Sequence, residues 1–222
     1  INEHCYCNIM GILKEEDEEF FVKHITAFSP IQVRIEKDIP ITIFNGIIQK
    51  SEIRHIGGVY YLTLKCVSNS FKLDIKKKNR SFQDKNMTYK NIMDKIATEY
   101  APSQILDFAT EGEKIEKLIL QYEETDWEFI KRLASRFNVG IIPLGADDGA
   151  NIIFGIKNGK DVGNIEEYEY TLEKDIKNYL ISKENYNESL SELDSIRFKI
   201  ETIENLDVYS RIKYQGFDLF IS

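Results

Sequence analysis

The chain has 222 residues, 42% of them hydrophobic and 30% charged, enough to bury a sizeable core as one large or two smaller domains of a soluble globular protein. Its formal net charge of -8 argues against a general nucleic-acid binder, which needs a surplus of Lys and Arg on one face. No apolar run, "GIIPLG" included, approaches the roughly 18 consecutive residues that a membrane-spanning helix requires.

The first eighty residues read as antiparallel strands. The chain opens inside an apolar, alternating segment at Ile1, which suggests that the natural protein extends beyond this end, and "HCYC" puts Cys5 and Cys7 on one strand face with His4 on the other. Zinc at that place would need further ligands such as His24 or His55, so a strand of buried thiols is the simpler reading. Three cysteines, an odd number, are too few for a disulfide scaffold and fit folding in a reducing cytoplasm. The acidic run Glu15, Glu16, Asp17, Glu18, Glu19 reads as a solvated hairpin tip. In "IQVRIE", "YYLTLKCV" and "FKLDIK" apolar and polar residues alternate with the period of half-buried strands. Gly57-Gly58 between two such runs predicts a tight hairpin. Short strands in series point to a small barrel or sandwich. The basic run Lys76, Lys77, Lys78, Asn79, Arg80 reads as a loop or protein-contact patch.

The period then changes. Thr88 is placed to cap a helix over about Tyr89 to Tyr100, with Ile92, Met93, Ile96, Ala97 and Tyr100 on one face and Pro102 forbidding continuation. "KLILQYE" follows as a strand. Thr125-Asp126-Trp127-Glu128 has the form of a capping box opening an acidic first turn. Trp127, Ile130, Ala134 and Phe137 share one face of that helix, which should end near Asn138 to Gly140. "VGIIPLG" and "NIIFGIK" read as a returning pair of strands. Beyond Tyr168 the pattern weakens to a short helix near Asp175 to Leu180 and two late strands, "SIRFKIE" and "FDLFIS", the last running off the chain at Ser222.

The chain is therefore expected to be α+β and mostly β: a first tube-like β-barrel over 1–85, an α+β connecting region over 86–165 with a capped amphipathic helix, and part of a second barrel over 166–222. Catalytic motifs are missing from it: there is no G-x-S-x-G elbow, no P-loop and no Rossmann glycine pattern. Solvation explains the carboxylates at 15–19 and helix capping explains Glu123-Glu124, so neither suggests the opposed acid pair of a glycosidase. No enzyme activity and no cofactor are expected.

The order of these pieces resembles the hub domain of contractile injection systems: the VgrG family of type VI secretion, the phage late control D proteins and the contractile-tail baseplate hubs. The matching stretches are "FNGII", "YYLTLKCVS", "FKLDIKKKNRSFQDKNMTYKNIMDKI" and above all "LQYEETDWEFIKRLASRFNVGIIP". The resemblance implies a structural protein with two tube-like barrels per subunit, whose homotrimer offers six near-equivalent modules to a sixfold tail tube and threefold symmetry to a spike. It implies partnership with tube, spike and other baseplate proteins, cytoplasmic folding, and a final place in an assembled particle. It also implies that Thr125, Trp127, Glu128, Ile130 and Phe137 form the joint between the barrels. The sequence up to Ser222 holds no spike-like repeat, so the spike is expected to be a separate subunit or to lie outside this stretch. The Lys-, Ile- and Asn-rich composition suits a low-GC source, favouring a phage tail, a phage-tail-like bacteriocin or a related injection machine over a Gram-negative type VI system, without choosing among them. The acidic Glu15, Glu16, Glu18 and Glu19 and the basic Lys76, Lys77, Lys78 and Arg80 are candidate interface groups, their opposite charges suited to head-to-tail contact. A tail-associated peptidoglycan-cleaving enzyme and a surface-binding β-protein are the alternatives, separable by a muramidase or amidase assay and by whether cells or tail proteins are bound.

Overall fold

A computed structural model gives the architecture; it describes residues 1–155, 161–166, 169–185, 191–201, 206 and 210–221. The chain is a mostly-β α+β protein and divides into two compact units, 1–157 and 158–222.

The first unit opens with β1 (Tyr6–Leu13), α1 (Glu15–His24), β2 (Pro30–Ile35), β3 (Ile41–Ile56) and β4 (Val59–Ser68). The strands form an antiparallel sheet in the order β1-β4-β3-β2 that curls into a half-barrel. Gly57 and Gly58 make the tight turn from β3 to β4, at φ values of 58° and 78° that suit a primed hairpin turn. Alternation then decides which side chains meet: Cys7, Ile9, Val33, Phe44, Ile48, Leu64 and Cys66 pack into a core on one face. The acidic run 15–19 is the start of α1, not a hairpin tip. Its carboxylates crowd the helix N-terminus, where the dipole favours them, and the helix buries no residue.

The stretch "FKLDIK" is not the strand its alternation predicts. Asn69–Asp74 is a 3-10 turn, and the strand β5 begins only at Lys77 (Lys77–Phe82). The polar side chains at its start explain this, because they bond elsewhere in the unit. Ser68 Oγ accepts from the Cys5 amide at 3.2 Å, and Asn69 Nδ2 donates to the Asp148 carbonyl at 3.1 Å. Both draw the chain out of a ladder.

Next come α2 (Tyr89–Thr98), β6 (Ile105–Asp107), β7 (Ile119–Thr125), α3 (Asp126–Ser135), β8 (Ile141–Pro143) and β9 (Ile152–Phe154). β5 pairs antiparallel with β7, and β9 lies between β6 (parallel) and β8 (antiparallel). Thr88 caps α2 in a reciprocal box with Asn91, two residues earlier than predicted at its far end. Ile92, Met93, Ile96, Ile130, Leu133 and Phe154 are fully buried in the larger core that α2 and α3 share with these strands. Each such side chain contributes about 1.5–3 kcal/mol by leaving water.

The second unit contains β10 (Asp161–Asn164), β11 (Tyr170–Lys174), α4 (Ile176–Asn185), β12 (Ile196–Ile200), β13 (Arg211–Tyr214) and β14 (Phe217–Phe220). β13 lies between β10 and β14, and β11 pairs with β12. Ile165, Ile212 and Tyr214 form its core, with Phe198 and Ile200 packed against them.

Candidate functional site

The most elaborate polar arrangement among the described residues lies where β7 passes directly into α3. Thr125, the last residue of β7, is still extended at φ -72°, ψ 165°, and is at once the N-cap of α3. Its hydroxyl accepts from the Glu128 amide at 3.1 Å, while Glu128 Oε2 accepts from the Thr125 amide at 2.8 Å. This is the predicted capping box, and it satisfies two backbone donors that an uncapped helix would leave open. At the other end Asn138 takes the left-handed conformation, φ 52°, and the Val139 amide returns to the Ala134 carbonyl at 3.2 Å.

The cap places Asp126 in the first turn, pointing inward, with no exposed surface. A buried carboxylate is costly unless it is paired, and here it is paired many times over. β5 runs antiparallel to β7, setting Lys78 opposite Glu124 and Arg80 opposite Gln121, with a register shift between them. Lys78 Nζ reaches Asp126 Oδ2 at 2.8 Å, and Arg80 bonds Asp126 through Nη1. Tyr100 OH donates to Asp126 at 2.6 Å and Gln121 Nε2 at 2.8 Å. Glu99, at the end of α2, closes the far side by bonding both Lys78, at 2.6 Å, and Arg80. Burial opposes ionisation of Asp126, but bonds from Arg80, Lys78, Tyr100 and Gln121 prevail and bring its pKa down to about 2. The Lys78 ammonium loses hydration to burial, yet Asp126 and Glu99 raise its pKa.

The other side of the same turn holds the first sheet. Thr125 Oγ1 donates to Asp74 at 2.6 Å, in the 3-10 turn. Trp127, 3% exposed, packs its indole on the His4 ring with centroids 4.0 Å apart. His4 in turn bonds Ser70 at 2.9 Å and Asp74 at 3.5 Å, and Ser70 bonds Ser68 at 2.8 Å. Burial lowers the His4 pKa, against the pull of Asp74 and with a small push from Lys131. The only tryptophan therefore clamps the segment leading into β1 against α3.

The remaining sequence candidates divide. Ile130 is fully buried and Phe137 packs at the core margin against Tyr89, centroids 4.9 Å apart. Lys78 and Arg80 point inward to Asp126, whereas Lys76 and Lys77 remain exposed. Glu15, Glu16, Glu18 and Glu19 lie on α1, where Glu16 meets Lys14 at 3.6 Å and Glu19 meets Lys23. His24 stacks on Phe20 and His55 on Tyr60, far from any shared ligand set with His4. Among the described residues no group of three or more His, Cys, Asp or Glu is arranged to hold a metal ion, and no helix is long and apolar enough to cross a membrane. Asp126 itself was missed as a site residue. Its acidity was credited to the helix dipole, and the signal that could have found it was an inward-facing acid beside Trp127 with alternating Lys78 and Arg80 on a neighbouring strand.

A family model described as the Alg8 N-terminal domain matches residues 29–152, more than half of the chain and including this whole turn. The chain belongs to the Alg8 N-terminal domain family. Residues of that match supply β2 to β8 and reach the first residue of β9, so the Asp126 cluster lies inside the family's domain while His4 lies outside it.

Among solved structures, the chain is similar to the E. coli c3393 protein, described as a component of the type VI secretion system with structural similarity to the T4 bacteriophage tail proteins gp27 and gp5. The TM-score is 0.55 at 16% identity, over 84% of this chain and 54% of that one. It is also similar to the 43 kDa tail protein of prophage MuSo2 from Shewanella oneidensis, with a TM-score of 0.54 at 12% identity over 78% of this chain and 51% of that one. The chain thus has a tail-protein fold and spans about half the length of these neighbours. No curated protein matches it by sequence.

Proposed function

We propose that the chain is a structural baseplate hub of a contractile injection system, whose homotrimer joins a sixfold tail tube to a threefold spike. The observation that carries this reading is the shared fold with a type VI secretion component and a prophage tail protein over about four-fifths of the chain. The hub-like segment "LQYEETDWEFIKRLASRFNVGIIP" supports it further, since it supplies β7, α3 and β8 and carries the Asp126 and Trp127 contacts.

On this reading the chain works as a rigid part and not as a catalyst, placing it near the VgrG and late control D hubs. A hub has to transmit load without changing shape. A fully buried carboxylate bonded by four side chains, beside a clamped tryptophan, suits that task, because the network around it is satisfied in one arrangement. Three copies, each with two tube-like modules, would meet tube and spike by a closed cyclic arrangement. The protein would fold in the cytoplasm and then become part of the particle. Light scattering on the purified chain, alone and with tube and spike proteins encoded beside it, tests this. A trimer, or a monomer that becomes three copies on meeting the spike protein, agrees; a monomer indifferent to both overturns it.

A further inference from the structure

We propose that Cys7 and Cys66 are a redox-responsive pair, closing to a disulfide that staples β1 to β4 when the protein meets a small-molecule disulfide such as oxidised glutathione. The two residues are direct partners in the antiparallel register of β1 and β4. Residues opposite one another in such a ladder hold their Cα atoms about 4.5–5.5 Å apart, inside the range that a disulfide spans. Both side chains lie on the same sheet face and share one small core with Phe44 and Leu64. The register itself thus brings the two residues within disulfide reach. Cys5 is placed differently: it packs against the backbone at Gly145, and its Sγ lies 3.7 Å from the Pro143 carbonyl oxygen, to which the thiol donates.

Accessibility orders the steps. Cys66 is 1% exposed, and burial pushes its thiol pKa up, whereas Cys7 is only partly buried. The Cys7 thiolate attacks one sulfur of the small disulfide, forming a mixed disulfide and expelling one thiolate. The Cys66 thiol then loses its proton to water and attacks Cys7 Sγ, expelling the second thiolate. Two protein thiols are oxidised, one small disulfide is reduced to two thiols, and the S–S bond joins the strands.

The position gives the bond a purpose. β1 is an edge strand whose ladder partner among the described residues is β4 alone, so one covalent link near the start of that ladder fixes the N-terminal strand to the sheet. A chain could then fold with free thiols in a reducing compartment and gain the staple in an oxidising one, whichever partners it has.

The test is to incubate the folded protein with reduced or oxidised glutathione, block free thiols with N-ethylmaleimide, digest without reductant and map the peptides by mass spectrometry. A Cys7–Cys66 cross-link two hydrogens lighter than the paired thiols, with Cys5 alkylated, is the expected result in most chains. It should persist in Cys5→Ser and vanish in Cys7→Ser. Closing a loop of about 60 residues should also raise the unfolding midpoint by roughly 5–10 °C, reversed by dithiothreitol. Three alkylated thiols, glutathione retained on Cys7, or cross-links through Cys5 would each overturn the proposal. The wild-type map decides this even if a cysteine variant fails to fold.

Discussion

Replacing Asp126 by Asn should be among the most damaging single changes in the first unit. The substitution preserves shape but removes the charge that Lys78, Arg80, Tyr100 and Gln121 all address. Their remaining acid is Glu99, whose side chain is 45% exposed and cannot replace a carboxylate with no exposed surface. Two routes give the magnitude. The Asp126 pKa falls from an ordinary 3.8 to about 2, which at about 1.36 kcal/mol per tenfold change in proton affinity corresponds to roughly 2.5 kcal/mol. Removing one partner of a buried ion pair costs about 3–5 kcal/mol, because the other charge stays buried. Urea unfolding followed by the fluorescence of Trp127, the next residue and the only tryptophan, should therefore show a loss of about 2.5–5 kcal/mol. The sign with pH follows from a depressed carboxyl pKa. The contribution is complete well above the ordinary value of 3.8 and is lost as pH falls through about 2. Wild type and Asp126→Asn should thus differ by a constant amount from neutral pH down to about 5 and converge in stronger acid. A loss below about 1 kcal/mol at neutral pH would refute the cluster as a source of stability.

Three other outcomes are expected. Trp127→Ala should cost about 3–5 kcal/mol, as other emptied aromatic core sites do, measured by thermal or urea unfolding followed by circular dichroism. His4 has a lowered pKa, so the stability it lends should be complete above the ordinary 6.5 and decline on acidification through the lower folded value; His4→Gln should flatten that part of the stability-versus-pH curve. Charge reversal separates the basic run in two: Lys76→Glu with Lys77→Glu should leave stability within about 0.5 kcal/mol, whereas Lys78→Glu should unfold or severely destabilise the unit. If reversing Lys76 and Lys77 also leaves assembly unchanged at physiological salt, head-to-tail contact through the acidic start of α1 is refuted.

What the sequence disclosed was local. Thr88 and Thr125 cap their helices through bonds three residues away, so the spacing alone shows them. Gly57-Gly58 marks its turn because positive φ is cheap for glycine. The alternation of β2 and β4 was plain for the same reason, since one face of each meets the core. The misreadings came from distance. Glu15 to Glu19 lack the periodicity of a packed helix, because α1 is stabilised by its end charges and buries nothing. The run Phe71 to Ile75 alternates like a strand, but Asn69 and the serines beside it bond residues some 65 to 80 positions away. Lys78 and Arg80 looked like solvent or contact groups because their partner, Asp126, is 48 and 46 residues further on. The strongest structural feature of the site was thus hidden between two readings that were each locally reasonable.

Cryo-electron microscopy of tails assembled with the tagged chain shows where in a particle the protein sits. Three copies forming a closed ring at the junction of tube and spike are the predicted result. Tags along the sheath, at the fibres, or absent from intact particles would contradict it.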